Sequence, residues 1–364
     1  VMSKIKILHL INSMNPGGAE NLLKFQIPFY DLDEFDIHIG YLVGDGSLLK
    51  DEQKIKVIDF SHNGKFNYLS IFNIRRYIKK NHIQILHQHL TQSNILGKLI
   101  LNTYLKTRSV STRHYAYSKN DNRLINKIEN KIIHFDDKII CISNYVKDYL
   151  RGAGIPDHRL EVIYNGLDLS IYEKLIRIPQ KKFTIGTVGR LDTQKGIDTL
   201  LYSFKKVLSQ NKSIKLEIIG EGPLKEDYMN LSNELGLSQD VDFLGYLRPK
   251  EVREQMRRWD LFVLASRWEG FGMVLIEASA MGIPLVATNV EAIPEIIIDG
   301  ENGFLVSPDN DEELYEKIML FLSGDINNAE MGRNARAKVF SKFPMHEMVY
   351  KTQEIYKNII ENYY

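Results

Sequence analysis

Twice along this 364-residue chain, short runs rich in β-branched and aromatic residues alternate with segments of helical periodicity. The first series runs from residues 4–11 through "FDIHIGYLV", "IKVIDF", "IQILHQH", "SVST" and "KIICIS", with helical spacing at 67–81 and 94–106. The second runs through "FTIGTVGR", "KLEIIGEG", "VDFLGYL", "LFVLAS" and "IPLVAT", with helices expected from Gly196, over 224–235, from Pro249 and from Met273. Strands separated in this way by helices are parallel, because each helix carries the chain back to where the next strand starts, by a right-handed crossover. The pattern predicts an α/β protein of two Rossmann-like halves. They join near residues 168–182, where Pro179 and mixed charge interrupt the periodicity. Beyond Pro344, Met345, Met348, Val349, Thr352, Ile355, Tyr356, Ile359 and Ile360 recur at intervals of three and four. That stripe predicts an amphipathic last helix, which must bury its apolar face; the first domain is the expected surface.

Charge narrows the class. A net charge of +1 excludes a uniformly basic nucleic-acid binder, yet residues 65–138 carry 14 Lys and Arg against 4 Asp and Glu. Around Arg75, Arg76, Lys79, Lys80, Lys98, Lys106, Arg108 and Arg113 the basic residues interleave with Ile, Leu, Phe and Tyr. This suits an anionic membrane surface or a diphosphate-linked lipid acceptor; solvated helix faces give the same composition. The single cysteine, Cys141 in "DDKIICIS", excludes a disulfide framework and a Cys-based zinc site and reads as a buried structural thiol in a reducing cytoplasm. No apolar run reaches the roughly 18 residues of a membrane span, and "KIKILHLIN" is too short for a signal sequence. The expectation is a soluble or peripherally attached protein.

In an open parallel sheet, ligands collect at the carboxyl ends of the strands, where loops lead into helix N-termini with free N–H groups. Polar residues just past the predicted strands therefore carry weight: Gly17 and Gly18, then Arg190 and Lys195, then Glu269, Gly270, Phe271 and Gly272. Arg190 and Lys195 in one loop suit a diphosphate gripped without a metal, although such a pair is commonly just solvated. "PGGAEN" reads equally as a tight strand-to-helix connection. Glycines at 270 and 272 let the backbone pass close to a ligand, and the helix from Met273 adds free amides. Glu277 lies about one turn inside that helix, among "MVLI" and "ASAM", where an acid is costly unless paired or bound to hydroxyls. A carboxylate accepting two hydrogen bonds suits the vicinal hydroxyls of a sugar or ribose; a helix cap is the plainer alternative. Asp31-Leu32-Asp33 ends a helix and Asp240-Val241-Asp242 feeds a strand, which argues against a metal-dependent sugar-nucleotide site. His87 and His89 share one face of a strand, but no third ligand is evident, so they read as hydrogen-bonded polar groups.

Glu269 and Glu277 within "SRWEGFGMVLIEASAMGIPLVAT" resemble the paired-glutamate signature of GT-B glycosyltransferases, in particular retaining glycosyltransferase family four. The resemblance extends in order through "PGGAEN", "STRHYAY", "CISNYVKDYL", "VIYNGLD", "VGRLDTQKGIDTLL", "IIGEGPLKEDY", "FLGYL" and "IDGENGFLV". It implies a GT-B fold: residues 1–168 as acceptor domain, 169–344 as donor domain facing it across a cleft, and 345–364 as a helix returning to the first. By the same resemblance Glu277 would take the ribose hydroxyls, and Glu269, with the backbone of Gly270, Phe271 and Gly272, the donor hexose. Arg190 and Lys195 would hold the diphosphate with the amides of Met273, Val274, Gly17 and Gly18. His114 would lie near the transferred sugar, Gly245, Tyr246 and Leu247 beside the base with Gly220 and Glu221 nearby, and Asn165 in the interdomain loop.

The implied activity is retaining, metal-independent and cofactor-free transfer of a hexose or N-acetylhexosamine from a nucleotide sugar, with UDP favoured and GDP the alternative, to a glycan acceptor. A polyprenyl-diphosphate-linked acceptor in surface polysaccharide or glycoconjugate synthesis, met at the cytoplasmic face of the plasma membrane, fits the basic first domain. No nucleic-acid partner is implied. A dehydrogenase would show a compact Gly-x-Gly-x-x-Gly turn with an acid about 20 residues on, which "NPGGAEN" lacks. A GT-B sugar-nucleotide epimerase shares the architecture but is less favoured by the paired glutamates. A non-catalytic relative would be expected to lose Arg190, Lys195 or Glu269, and all three are present.

Overall fold

A computed structural model describes residues 4–15, 17–67, 69–101, 106–116, 131–175, 177–178 and 180–362. Pro16 of "PGGAEN", Tyr117 of "STRHYAY", Pro179 and positions 102–105 of the helix expected over 94–106 lie outside the described residues. The chain divides into two compact units, Val1–Gly166 with Met345–Tyr364, and Leu167–Pro344.

The first unit is built on seven parallel strands: β1 Ile5–Ser13, β2 Phe35–Val43, β3 Lys56–Asp59, β4 Ile85–His89, β5 Arg108–Arg113, β6 Lys138–Cys141 and β7 Leu160–Val162. Their order is β3-β2-β1-β4-β5-β6-β7, so the order reverses at β1, the position where open sheets form their ligand crevice. Six strands follow the sequence pattern. The seventh has three residues at the sheet edge, too few to show a period. Between strands run α1 Gly18–Gln26, α2 Leu69–Asn81, α3 Thr91–Leu101 and α4 Asn144–Gly152. α3 starts three residues before the expected 94, because Leu90 at φ 70° turns the chain from β4 straight into the helix. Leu8, Leu10, Leu42 and Leu86 of the sheet pack against Ile74, Ile78, Leu96 and Ile100 of α2 and α3. Cys141 is fully buried, and desolvation pushes its thiol up to about 12, as a structural cysteine requires.

The second unit carries six parallel strands, β8 Phe183–Val188, β9 Ile214–Ile219, β10 Val241–Gly245, β11 Leu261–Leu264, β12 Leu285–Thr288 and β13 Phe304–Val306, in the order β10-β9-β8-β11-β12-β13. Besides the single turns Ser170–Glu173 and Ile293–Ile296, its helices are α5 Ile197–Gln210, α6 Lys225–Glu234, α7 Pro249–Met256, α8 Met273–Ala280, α9 Asp311–Ser323 and α10 Asn328–Lys342. β8 lies beside β11, so the loops that follow these two strands are neighbours at the carboxyl edge. The segment expected to join the halves is anchored to this unit. Tyr172 is buried, Ile178 N donates to Arg257 O at 2.8 Å, and Arg177 Nη2 meets Asp260 Oδ1 at 2.5 Å.

The last helix, α11 Met345–Glu361, belongs to the first unit and buries Met345, Met348, Val349, Thr352, Ile355 and Tyr356 there. Ile359 and Ile360 of the expected stripe are half-buried. No helix among the described residues is long and apolar enough to cross a membrane.

The basic region needs one correction. Lys98 and Arg113 are not surface charges: they are 7% and 3% exposed. Lys98 Nζ pairs with Asp136 and also donates to Gln88 Oε1 at 3.0 Å and Ser109 Oγ at 2.6 Å; Arg108 pairs with Asp137 at 3.0 Å. Lys98 and Arg108 thus answer acids within the fold, while Arg113 Nη2 donates to Ala116 O at 3.5 Å. Lys106 is exposed just before β5, and on α2 Arg75, Arg76, Lys79 and Lys80 line a depression with Phe72, which is 65% exposed.

Candidate active site

In the second unit, the loops after β8 and β11 are held together along their length. Arg267 N donates to Gln194 O at 2.7 Å and Gln194 Nε2 to Trp268 O at 3.0 Å. Arg267 reaches Thr193 O and Asp198 Oδ2, each at 2.7 Å, and Asp309 Oδ1 at 2.6 Å. Gly196, at φ 59°, closes the first loop where a Cβ would come within 2.1 Å of Ala265 O. Only glycine fits both that dihedral and that space. Sequence reasoning passed over Arg267, because an arginine among ordinary loop residues gives no local sign of four partners.

This clamp presses two predicted site residues together. Lys195 Nζ contacts Glu269 Oε2, with the side chains only 14% and 12% exposed. Ser266 Oγ also donates to Glu269 Oε2, at 3.2 Å, and Glu269 N donates to Glu291 Oε2 at 3.0 Å. Glu291, in the left-handed region at φ 47°, is a third acid at this edge that the spacing of the first two did not announce. Arg190, in the same loop as Lys195, is 73% exposed, and Asp192 Oδ2 lies 3.6 Å from its Nε. One cation is therefore sequestered and the other reaches out.

Gly272, at φ 87°, opens α8 without any side-chain cap, so the first-turn amides, those of Met273 and Val274 included, are left for a ligand or water. Glu277 follows one turn later. Burial raises its carboxyl to about 7, with Arg253 on α7 pulling the other way. Burial, reinforced by the charge of Glu277, also pushes the Tyr172 phenol well up. Phe271 is buried and its ring stands edge-on to Phe343 at 5.6 Å, so this residue offers a ligand its backbone rather than its ring. After β9 and β10, Gly220 N donates to Gly245 O at 2.9 Å, which sets Gly220 and Glu221 beside Gly245. Glu221 is tied to Lys225 at 2.7 Å, Leu247 is half-buried, and Tyr246 stands 64% exposed.

The first unit holds the remaining predicted residues. Gly17 caps α1 in an extended conformation and Gly18 starts the helix. The Glu20 carboxylate folds over Gly17 so closely that a Cβ there would lie 2.3 Å from Oε2. His114 follows β5 with its Nε2 buried and unpartnered among the described residues. Burial, with Arg113 beside it, lowers the imidazole to about 4, so it is neutral at pH 7 with one nitrogen open. Asn165 is likewise buried with Oδ1 unpartnered among the described residues. The third imidazole that the sequence did not reveal is His9, which β1 brings against His87 and His89.

Two family models divide the chain between them: Glycosyltransferase Family 4 matches residues 34–171 and Glycosyl transferases group 1 matches residues 171–338. An uncharacterized glycosyltransferase of Methanocaldococcus jannaschii is 30% identical over 94% of this chain and 93% of its own length. The chain belongs to glycosyltransferase family 4. This glycosyltransferase is also 27% identical, over 94% of its length and 96% of the relative's, to a Campylobacter jejuni N-acetylgalactosaminyltransferase. That relative is named for a diacetylbacillosaminyl-diphospho-undecaprenol acceptor. Among solved structures, Anabaena HepE in complex with UDP superposes with a TM-score of 0.84 at 22% identity, over 97% of this chain and all of that one. The superposition shows the GT-B fold.

Proposed function

We propose that this glycosyltransferase moves a hexose or N-acetylhexosamine from a UDP-sugar to a polyprenyl-diphosphate-linked glycan, with retention of anomeric configuration. The reading rests on the Lys195–Glu269 contact, a cation and an acid pressed together at the meeting of two strand-end loops and a helix N-terminus. Breaking the anomeric bond builds positive charge on the sugar ring and negative charge on the departing diphosphate. Lys195 and the outward-reaching Arg190 neutralise the latter, helped by the amides of Met273 and Val274 and, from the first unit, of Gly17 and Gly18. Glu269 and the Gly270–Phe271–Gly272 backbone hold the hexose. Glu277 accepts from the ribose hydroxyls, and Gly220, Glu221, Gly245, Tyr246 and Leu247 border the base. His114 gives its open nitrogen to the transferred sugar. With no carboxylate assigned as nucleophile, attack proceeds on the same face, assisted by the leaving phosphate.

The acceptor class is supported by the relative named for an undecaprenyl diphosphate substrate, and the nucleotide by the bound UDP of the Anabaena structure. A lipid-borne acceptor gives the α2 surface a role. Leu69 and Phe72, 59% and 65% exposed, enter the edge of the bilayer while Arg75, Arg76, Lys79 and Lys80 meet anionic headgroups. A thermal-shift panel of UDP- and GDP-sugars identifies the donor, since a ligand that binds only the folded state raises its melting temperature. Lys195→Ala should lower donor turnover on the order of 10²-fold, the scale of a lost oxyanion donor. Unchanged turnover in that variant removes the assigned role. Co-sedimentation with phosphatidylglycerol vesicles that is indifferent to salt and to Phe72→Asp removes the membrane contact.

A further inference from the structure

Three imidazoles meet in the layer between the first sheet and the last helix. His9 on β1 and His87 on β4 are register partners in the parallel pair, and His89, two residues on, shares their face. All three are buried, at 0%, 2% and 4% exposure, and one ligand nitrogen from each can be chosen so that the three lie within 4.8 Å of one another. His9 Nδ1 and His89 Nε2 are 3.0 Å apart. The outer nitrogens are held by phenols. Tyr30 OH lies 3.2 Å from His9 Nε2 and donates to Gln26 Oε1 at 3.1 Å, while Tyr356 OH, from α11, lies 2.5 Å from His87 Nδ1. His87 Nε2 faces Thr112 Oγ1 at 2.7 Å.

Proton directions follow from these partners. Because the Tyr30 proton goes to Gln26, the Tyr30 oxygen accepts from His9 Nε2–H, and His9 Nδ1 carries the lone pair. His89 Nε2 is therefore the donor in the His9–His89 bond.

We propose that His9 Nδ1, His87 Nε2 and His89 Nε2 take up one divalent first-row transition ion of the zinc and cobalt class, at a site behind His114, whose ring lies 5.9 Å from that of His89. A donor set of imidazoles alone selects such ions over magnesium, calcium or manganese, which prefer oxygen. Metal–nitrogen bonds of about 2.0–2.1 Å set neighbouring nitrogens about 3.3 Å apart in a tetrahedron. The His9–His89 pair need open by only a few tenths of an ångström. The rings, now inclined at 19° to 37° to one another, must turn so that the third nitrogen closes in. Tyr30 and Tyr356 supply what ligating histidines need, a hydrogen-bond partner on the outer nitrogen that fixes the ring. On binding, the His89 proton moves from Nε2 to Nδ1, so the imidazoles stay neutral and no proton is lost. The fourth position falls to Thr112 Oγ1 or water.

Through Tyr356 the ion would also tie the last helix to the sheet. The test uses chelator-treated full-length protein titrated with Co²⁺ and followed by visible absorption, with metal content per chain measured after Zn²⁺ dialysis. The expected result is one ion per chain with the intense bands of a tetrahedral site and a raised melting temperature. Binding should be lost in His9→Gln and in His89→Asn and retained in His346→Ala, a surface control. Circular dichroism and nucleotide-sugar binding, kept in both site variants, separate loss of the metal from loss of the fold or of the donor site. No stoichiometric uptake by the wild-type protein, which would leave a closed hydrogen-bond network, overturns the assignment. So does uptake undiminished in both site variants.

Discussion

Arg267 Nη2 lies 2.7 Å from Asp198 Oδ2 at the start of α5, so a residue after β11 is bound to the helix that follows β8. The same guanidinium holds Thr193 O and Asp309, and it thereby sets the approach of Lys195 to Glu269. Arg267→Ala should lower donor turnover about tenfold, equivalent to roughly 1.4 kcal/mol in the barrier. Arg267→Lys should recover little, because a single ammonium nitrogen cannot span the three acceptors that Nε, Nη1 and Nη2 reach separately. Steady-state kinetics on both variants checks this; full activity in the alanine variant would show that the clamp is dispensable.

Glu277 gives a pH signature. Its carboxyl is raised to about 7 in the folded protein from 4.5, so it contributes stability that is fully present below pH 4.5 and is lost as pH rises through 7. Relative to Glu277→Gln, the wild-type protein should lose about 3 kcal/mol between those limits, at 1.36 kcal/mol per unit. Urea midpoints of both proteins from pH 4 to 8 measure the difference, and parallel curves would contradict it.

The buried Lys98–Asp136 pair joins α3 to the loop before β6, with Ser109 and Ser111 donating to Asp136 at 2.5 and 2.8 Å. Asp136→Asn leaves the ammonium without its counter-charge and should cost about 3–5 kcal/mol. Lys98→Met with Asp136→Leu, which removes both charges, should cost much less. Denaturant titration of the single and double variants tests the order.

Gly220, at φ 144°, sits so close to Gly189 that a Cβ would lie 1.8 Å from its carbonyl oxygen. Gly220→Ala must push the loop carrying Arg190 and Lys195 away from β9. We expect a loss of about 1–3 kcal/mol in stability, the range for backbone strain, together with weaker donor binding. Gly18→Ala meets open space and should change the melting temperature little.

Much of this was legible before any coordinates. Eleven of the thirteen strands announce themselves, since runs such as "FTIGTV" and "FDIHIGYLV" suit a buried parallel strand; β7 and β13, three residues each, are too short to do so. Glu277 was readable as an acid in an apolar helix, and burial does raise it. Long-range pairings were not readable. Lys98 looks like any cation of a basic stretch until Asp136 is seen 38 residues on, and Arg267 shows its partners only once β8 and β11 lie side by side. His9 failed to join His87 and His89 for the same reason: sheet order, not spacing, makes them neighbours.

The first sheet is assembled from the earliest part of the chain, yet the helix that covers Tyr30 and the imidazole layer is Met345–Glu361. During synthesis the ribosome must therefore release the whole second unit before the first can be sealed, and the imidazole layer stays open to water until α11 emerges. Nascent chains stalled before residue 345 should be protease-sensitive in the first half, whereas the second unit, whose own segments are contiguous, folds without waiting.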